Sequence, residues 1–164
     1  MVSLQQILAS KDARQSLQRQ LIQKYGKTVI SFTVLAVGSN KQSSNSTFVG
    51  QVGVETIEQT FKDLIVFKQV DDDPTGFQSL FVVDLEEVAV KKLTTAIEEN
   101  HKLGRLFDID VIGKNFIPLS RESIGYAKRK CLLCDNPACE CARAKVHSIS
   151  QLNQQIENII SAYK

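Results

Sequence analysis

The sequence predicts an α+β protein folded as one domain over residues 1–164. Three observations carry that prediction. Runs rich in β-branched and aromatic residues alternate with stretches of helical apolar spacing, in the order β-α-β-β-α-β. Hydrophobic residues make up 43% of the 164, enough for a sizeable core. One run, Leu106–Ile112, sets Asp108 and Asp110 two residues apart among apolar neighbours, the pattern of a strand with one face inward.

The elements follow in chain order. Ser3 and Gln6 form a capping box for a short first turn. A second helix is expected from about Ser10, with Ala13, Leu17 and Leu21 on one face and Gly26 as its stop. Thr28–Val37 reads as a buried strand, and the small polar segment Gly38–Ser46 as a mobile loop. Val54, Ile57, Phe61 and Leu64 recur at helical spacing, and a strand follows over Leu64–Gln69. Asp71–Gly76 has turn composition, and Gln78–Val83 is a strand. Leu85–Asn100 is an amphipathic helix with Ala89, Leu93, Ala96 and Ile97 inward. Beyond the aspartate strand, Phe116–Leu119 can pair back on it through Gly113-Lys114-Asn115. Ser148–Lys164 is a last helix, with Ile149, Leu152, Ile156 and Ile159 inward and Ser148 and Gln151 as its cap.

The order β-α-β-β-α-β is that of a ferredoxin-like core, here with an N-terminal helix and a C-terminal Cys-rich segment plus helix. Two helices would cover one face of the sheet. Asp108 and Asp110 would lie on the uncovered face, with Ser31 and Thr33 beside them if the last strand flanks the first.

Composition excludes several functions. A net charge of +2 does not suggest a nucleic-acid partner. No apolar run approaches the ~20 residues of a membrane span, and Met1–Ser10 is too polar for a secretory signal, so a cytoplasmic protein is expected. Cys131, Cys134, Cys139 and Cys141 crowd into one short segment, which in a reducing compartment suggests metal or reactive thiols rather than structural disulfides.

Asp108 and Asp110 are the leading candidates for chemistry. Paired carboxylates on one strand face need a cation or open solvent, and Mg²⁺ carrying a phosphorylated substrate supplies the first. A surface strand with alternating charges is the plainer reading. Upstream, Arg105 can grip phosphate through two parallel hydrogen bonds, although strand parity turns it away from the aspartates unless the strand begins after it. His101 can move a proton or cap the preceding helix, and Glu98, one turn earlier, can orient it. Cys131-x₂-Cys134 is a zinc knuckle that Cys141 and His147 can complete as a closed structural site; reduced thiols packing a compact loop are the alternative. Ser120–His147 carries six Lys or Arg against three acidic residues, a basic surface suited to phosphates or an acidic partner. Arg14, flanked by Asp12 and Gln15, is a further basic candidate. Gly38-Ser39 resembles the short Gly-Ser turn of nucleotidyltransferases.

Four blocks recur together in a known family. They are Asp12-x-Arg14-Gln15; Val29-Ile30-Ser31-Phe32-Thr33-Val34; Glu98-x-x-His101-x-Leu103-Gly104-Arg105-Leu106-Phe107-Asp108-Ile109-Asp110-Val111; and Arg129-x-Cys131-Leu132-Leu133-Cys134 with Cys141-Ala142-Arg143 and His147. In this order, over roughly residues 4–160, they resemble the holo-citrate lyase synthase family, the apo-citrate lyase phosphoribosyl-dephospho-CoA transferases. The resemblance implies transfer of 2′-(5″-phosphoribosyl)-3′-dephospho-CoA from its triphosphoribosyl precursor to a serine of the acyl-carrier (gamma) subunit of citrate lyase, with loss of pyrophosphate. Within that reaction Asp108 and Asp110 would hold Mg²⁺, Arg14, Arg105 and Arg129 would hold phosphate oxygens, and an aspartate or His101 would accept the serine proton. Lys102 stands where the family block usually has proline, Lys130 stands where arginine is often found, and Cys139 looks additional. The competing readings are a non-catalytic module that binds a carrier protein and a zinc-stabilised regulatory module.

Overall fold

The computed structural model describes residues 2–38 and 40–164, which form five α-helices and one four-stranded antiparallel sheet. The first helix, α1, runs Leu4–Tyr25 without a break. The Ser3–Gln6 capping box opens it, and nothing between Leu4 and Tyr25 is Gly or Pro, so the expected short turn and the helix from Ser10 are one element. Gly26, at φ 61°, ends it in the left-handed conformation glycine tolerates, its N–H bonded to Ile22 O at 2.8 Å.

Strand β1 spans Thr28–Val34, shorter than the expected Thr28–Val37 because its partner gives out at Phe107. Helix α2 is Ser44–Phe61, capped reciprocally by Ser43 and Ser46. The loop after β1 therefore ends earlier than its composition suggested, since three serines near its end serve the helix. Strand β2 covers Ile65–Asp73 and β3 covers Gly76–Val83, with Asp73 opposite Gly76. The acidic run expected to be a turn is strand, and only Pro74-Thr75 turns. Helix α3 is Glu87–Asn100 with Glu86 as its cap, and β4 is Phe107–Ile112. Short helices follow at Ala138–Ala144 (α4) and Ile149–Tyr163 (α5).

The strand order is β2-β3-β1-β4. Ile30, Phe32, Phe81, Phe107, Ile109 and Val111 point to one face, where α2, α3 and α5 pack. Phe32 meets Phe107 edge-on, ring centroids 5.4 Å apart. Helix α2 lies so close that a Cβ on Gly50 or Gly53 would stand 2.3 Å from the ring of Phe77 or Phe32. On the other face Leu21 and Ile22 of α1 cover Val29, Leu80, Val82 and Ile112. That face was expected to be uncovered. Helix α1, at 22 residues, is long enough to cross it.

Two helical faces differ from their expected phase. In α3 the buried positions are Val90, Lys91, Thr94, Thr95, Ile97 and Glu98, while Leu93 is exposed. Lys91 and Glu98 turn inward to serve the free edge of β4, and that polar requirement rotates the helix. In α5 Ile160 is buried and Ile156 and Ile159 pack on the core, but Ile149 is exposed. Among the described residues no helix is long and apolar enough to cross a membrane.

Candidate active site

Antiparallel pairing puts Asp108 opposite Thr33 and Asp110 opposite Ser31, so all four side chains share the α1 face of the sheet. Gln78 follows Thr33 across the same row, and Arg14 of α1 donates to its Oε1 at 3.2 Å. Helix α1 thereby brings a cation over this sheet face, where its charge acts on Asp110. Both aspartates reach solvent, yet Asp110 stands in a concave surface. That crowding, and next the negative charge of Asp108, push its carboxyl up to about 6, against the opposing pull of Lys91 and Arg14.

The concavity is a cleft of about 360 Å³ lined by Asp108, Asp110, Lys91, Glu98, Lys128 and Arg129, among others. Its wall is built on the outer edge of β4. Ile109 N–H donates to Glu98 Oε2 at 3.1 Å, and Lys91 Nζ lies 3.5 Å from Ile109 O. Glu98 is also gripped by Arg121 at 2.9 Å and Arg129 at 3.3 Å. Arg129 further donates to the carbonyls of Gly104 and Arg105 at 2.9 and 3.0 Å. Burial holds the Arg129 guanidinium below its usual range, against the stabilising charges of Glu98 and Asp108. Glu98, expected to orient His101, is instead the hub of this wall. Spacing did not single out Lys91, Arg121 or Lys128; the excess of positive charge over 120–147 was the only trace of Arg121 and Lys128, and Lys91 left none.

The remaining candidates sit elsewhere. His101 packs between Phe107 and Tyr163, its ring centroid 5.1 and 5.8 Å from theirs, on the side of the sheet opposite the aspartates. Its Nδ1 accepts from Leu103 N–H at 3.0 Å, and burial lowers its pKa, so it is a half-buried helix-end residue that does not face the carboxylates. Arg105 precedes β4 in a tight turn, so strand parity does not govern it; its Nη2 donates to the carbonyls of Cys131 at 2.6 Å and Lys130 at 3.2 Å. Ser39 of the Gly38-Ser39 pair lies outside the described residues. Cys131, Cys134, Cys141 and His147 converge, their ligand atoms all within 4.8 Å of one another, while Cys139 is exposed. A larger cavity, about 760 Å³, lies at the far end of β1 beside Lys27, Asp84 and Glu87. Asp84, Glu86 and Glu87 line it, but Asp84 pairs with Lys27 at 3.1 Å and the Glu86 carboxylate caps α3, whereas the smaller cleft holds Asp108 and Asp110 beside Lys128 and Arg129, so the smaller cleft is the better candidate.

Fold and cleft together define an α+β domain that presents two carboxylates and a set of cations to one concave surface. A family model described as apo-citrate lyase phosphoribosyl-dephospho-CoA transferase matches residues 2–163. The chain is 35% identical over 165 residues to a protein named CitXG from Leuconostoc mesenteroides, covering 96% of this chain and 35% of that protein. It is 32% identical over 166 residues to a probable apo-citrate lyase phosphoribosyl-dephospho-CoA transferase of Vibrio cholerae, covering 99% and 93% of the two. A Citrobacter koseri protein named as the same transferase is 31% identical over 162 residues, covering 97% and 88%. The chain thus spans about a third of the CitXG-type relatives and most of the others. It belongs to the apo-citrate lyase phosphoribosyl-dephospho-CoA transferase family.

Proposed function

We propose that this chain transfers the 2′-(5″-phosphoribosyl)-3′-dephospho-CoA group from 2′-(5″-triphosphoribosyl)-3′-dephospho-CoA to a serine of the apo acyl-carrier (gamma) subunit of citrate lyase, releasing pyrophosphate. The observation that carries the reading is the placement of Asp108 and Asp110 in one cleft with Lys128 and Arg129, on a chain matched to the family over residues 2–163. The scaffold is read as the ferredoxin-like split βαβ plan, because its strand order is β2-β3-β1-β4 with every pairing antiparallel.

The residues present fit a divalent cation. Burial in the concavity, and next the charge of Asp108, push Asp110 up to about 6 despite Lys91 and Arg14, so a cation held by these two oxygen donors would relieve both effects. Asp108 and Asp110 would hold Mg²⁺, which when bound supplies positive charge to offset that on the departing pyrophosphate.

The chain's own groups account for the rest. Lys128 and Arg129 on one side, and Arg14 on the other, favour a polyanion at the carboxylates and fix its orientation. In the transfer the carrier serine oxygen bonds to the phosphorus that stays with the ribose, and the bond from that phosphorus to pyrophosphate breaks. The serine proton passes to an aspartate, since the aspartates face the cleft and His101 does not. Mass spectrometry of the apo carrier after incubation with this protein, Mg²⁺ and the triphosphoribosyl precursor tests the reading. The prosthetic-group mass should appear on the carrier serine; an unmodified carrier would overturn it.

A further inference from the structure

The segment after the cleft wall carries a second constellation that the transfer does not use. Arg129–Ala138 folds back on itself: Lys130 bridges Pro137, Cys131 N–H donates to Asn136 O at 2.7 Å, and Ala138 N–H donates to Arg129 O at 2.8 Å. This small loop presents Cys131 and Cys134 to the side where α4 presents Cys141 and the following turn presents His147. The sulfurs of Cys134 and Cys141 are 3.4 Å apart, and Leu133 N–H points at Cys131 Sγ at 3.5 Å, the N–H···S contact that supports a thiolate at a knuckle. His147 Nε2 is buried and, among the described residues, has no hydrogen-bond partner. A buried imidazole nitrogen without a partner is costly unless something else satisfies it.

We propose that Cys131, Cys134, Cys141 and His147 form a closed tetrahedral Zn²⁺ site that clamps the basic segment against the cleft. Ligand–ligand distances in such a site are about 3.5–3.8 Å, as follows from Zn–S and Zn–N bonds of about 2.3 and 2.0 Å. Atoms already gathered within 4.8 Å reach that geometry by small side-chain adjustments. Three soft sulfurs and one imidazole select zinc over the oxygen-loving cations. Four protein ligands leave no open position, so the ion is structural. It holds the loop whose carbonyls at Lys130 and Cys131 receive Arg105, and whose first residue, Arg129, lines the cleft. Cys139, exposed and outside the cluster, takes no part. Zinc binding here does not depend on the transferase reading.

The test is metal analysis of the reduced full chain, purified without chelators. About one equivalent of zinc is expected, retained in Cys139→Ser and reduced at least tenfold in Cys134→Ser and His147→Gln. If these variants do not fold, the wild-type protein stripped of metal keeps the question open to measurement: added Co²⁺ should give the thiolate charge-transfer and tetrahedral ligand-field absorption of a sulfur-rich site. Chelation should raise hydrogen exchange across residues 121–147. A folded, reduced chain that lacks zinc and shows no thiolate absorption with Co²⁺ overturns the proposal, as does a Cys134–Cys141 disulfide persisting under reduction, or zinc lost from Cys139→Ser.

Discussion

Asp110 and Glu98 are both acidic, and the fold treats them oppositely. Asp110 sits beside another carboxylate and is pushed up to about 6, whereas Glu98 sits between two guanidinium groups and a backbone N–H. Replacing Asp110 by Asn should reduce carrier modification about a hundredfold or more, because it removes one of two charges that organise the cleft. The same change should stabilise the metal-free protein at neutral pH. The raised carboxyl binds a proton more tightly folded than unfolded, so its contribution to stability is present in acid and is lost as pH climbs from about 4 through 6. Thermal melts across that range should show the Asn variant above wild type at neutral pH and level with it at the acid end. Glu98→Gln should do the reverse of a harmless change. It leaves Arg121 and Arg129 without their buried counter-charge, and urea unfolding should report a loss of about 3–5 kcal/mol.

At the scale of elements, the close approach of α2 to the sheet is the most exposed to test. Alanine is the better helix former by about 1 kcal/mol, yet at Gly50 or Gly53 its methyl would overlap an aromatic ring. Either substitution should cost a net ~1–3 kcal/mol in denaturant titrations, since overpacking outweighs propensity there. Element identity was largely legible in the sequence, because β-branched runs, caps and Gly26 are local signals. The convergence of Cys131, Cys134, Cys141 and His147 was legible too, since all four belong to one short segment. Helical phase in α3 was not. Apolar spacing pointed to Leu93, but the inward face is chosen by what β4 needs, and an edge strand needs a donor and an acceptor, which Lys91 and Glu98 supply. The acidic run at 71–73 misled for a similar reason: pairing with β3 overrides turn composition.

Across the whole molecule, the main departure from the sequence reading is the helix over the aspartate face. No local pattern in residues 4–25 announces which sheet face will receive Leu21 and Ile22; that is decided by strand order and by which face still shows apolar residues. The consequence for function is that Arg14, remote in sequence from Asp110, acts on it in the fold. Arg14→Ala should raise the KM for the triphosphoribosyl donor about tenfold, the loss of one charge-assisted contact, while the melting temperature stays near wild type because, among the described residues, its side chain bonds Gln78 alone.

The outer margin of β4 has a further implication. Phe107 N–H is tied to Gly104 O, Ile109 uses both its backbone groups on side chains of α3, and Val111 O takes Leu119 N–H. An unpaired strand ordinarily templates the addition of another, whether from a binding partner or a misfolded neighbour. Along β4 these groups are already engaged, so a polypeptide arriving at this margin finds a broken register to extend. On the proposed function, a carrier that approaches the concavity at this margin is recognised through side chains, with its reactive hydroxyl delivered into the cleft, and is not zipped alongside β4.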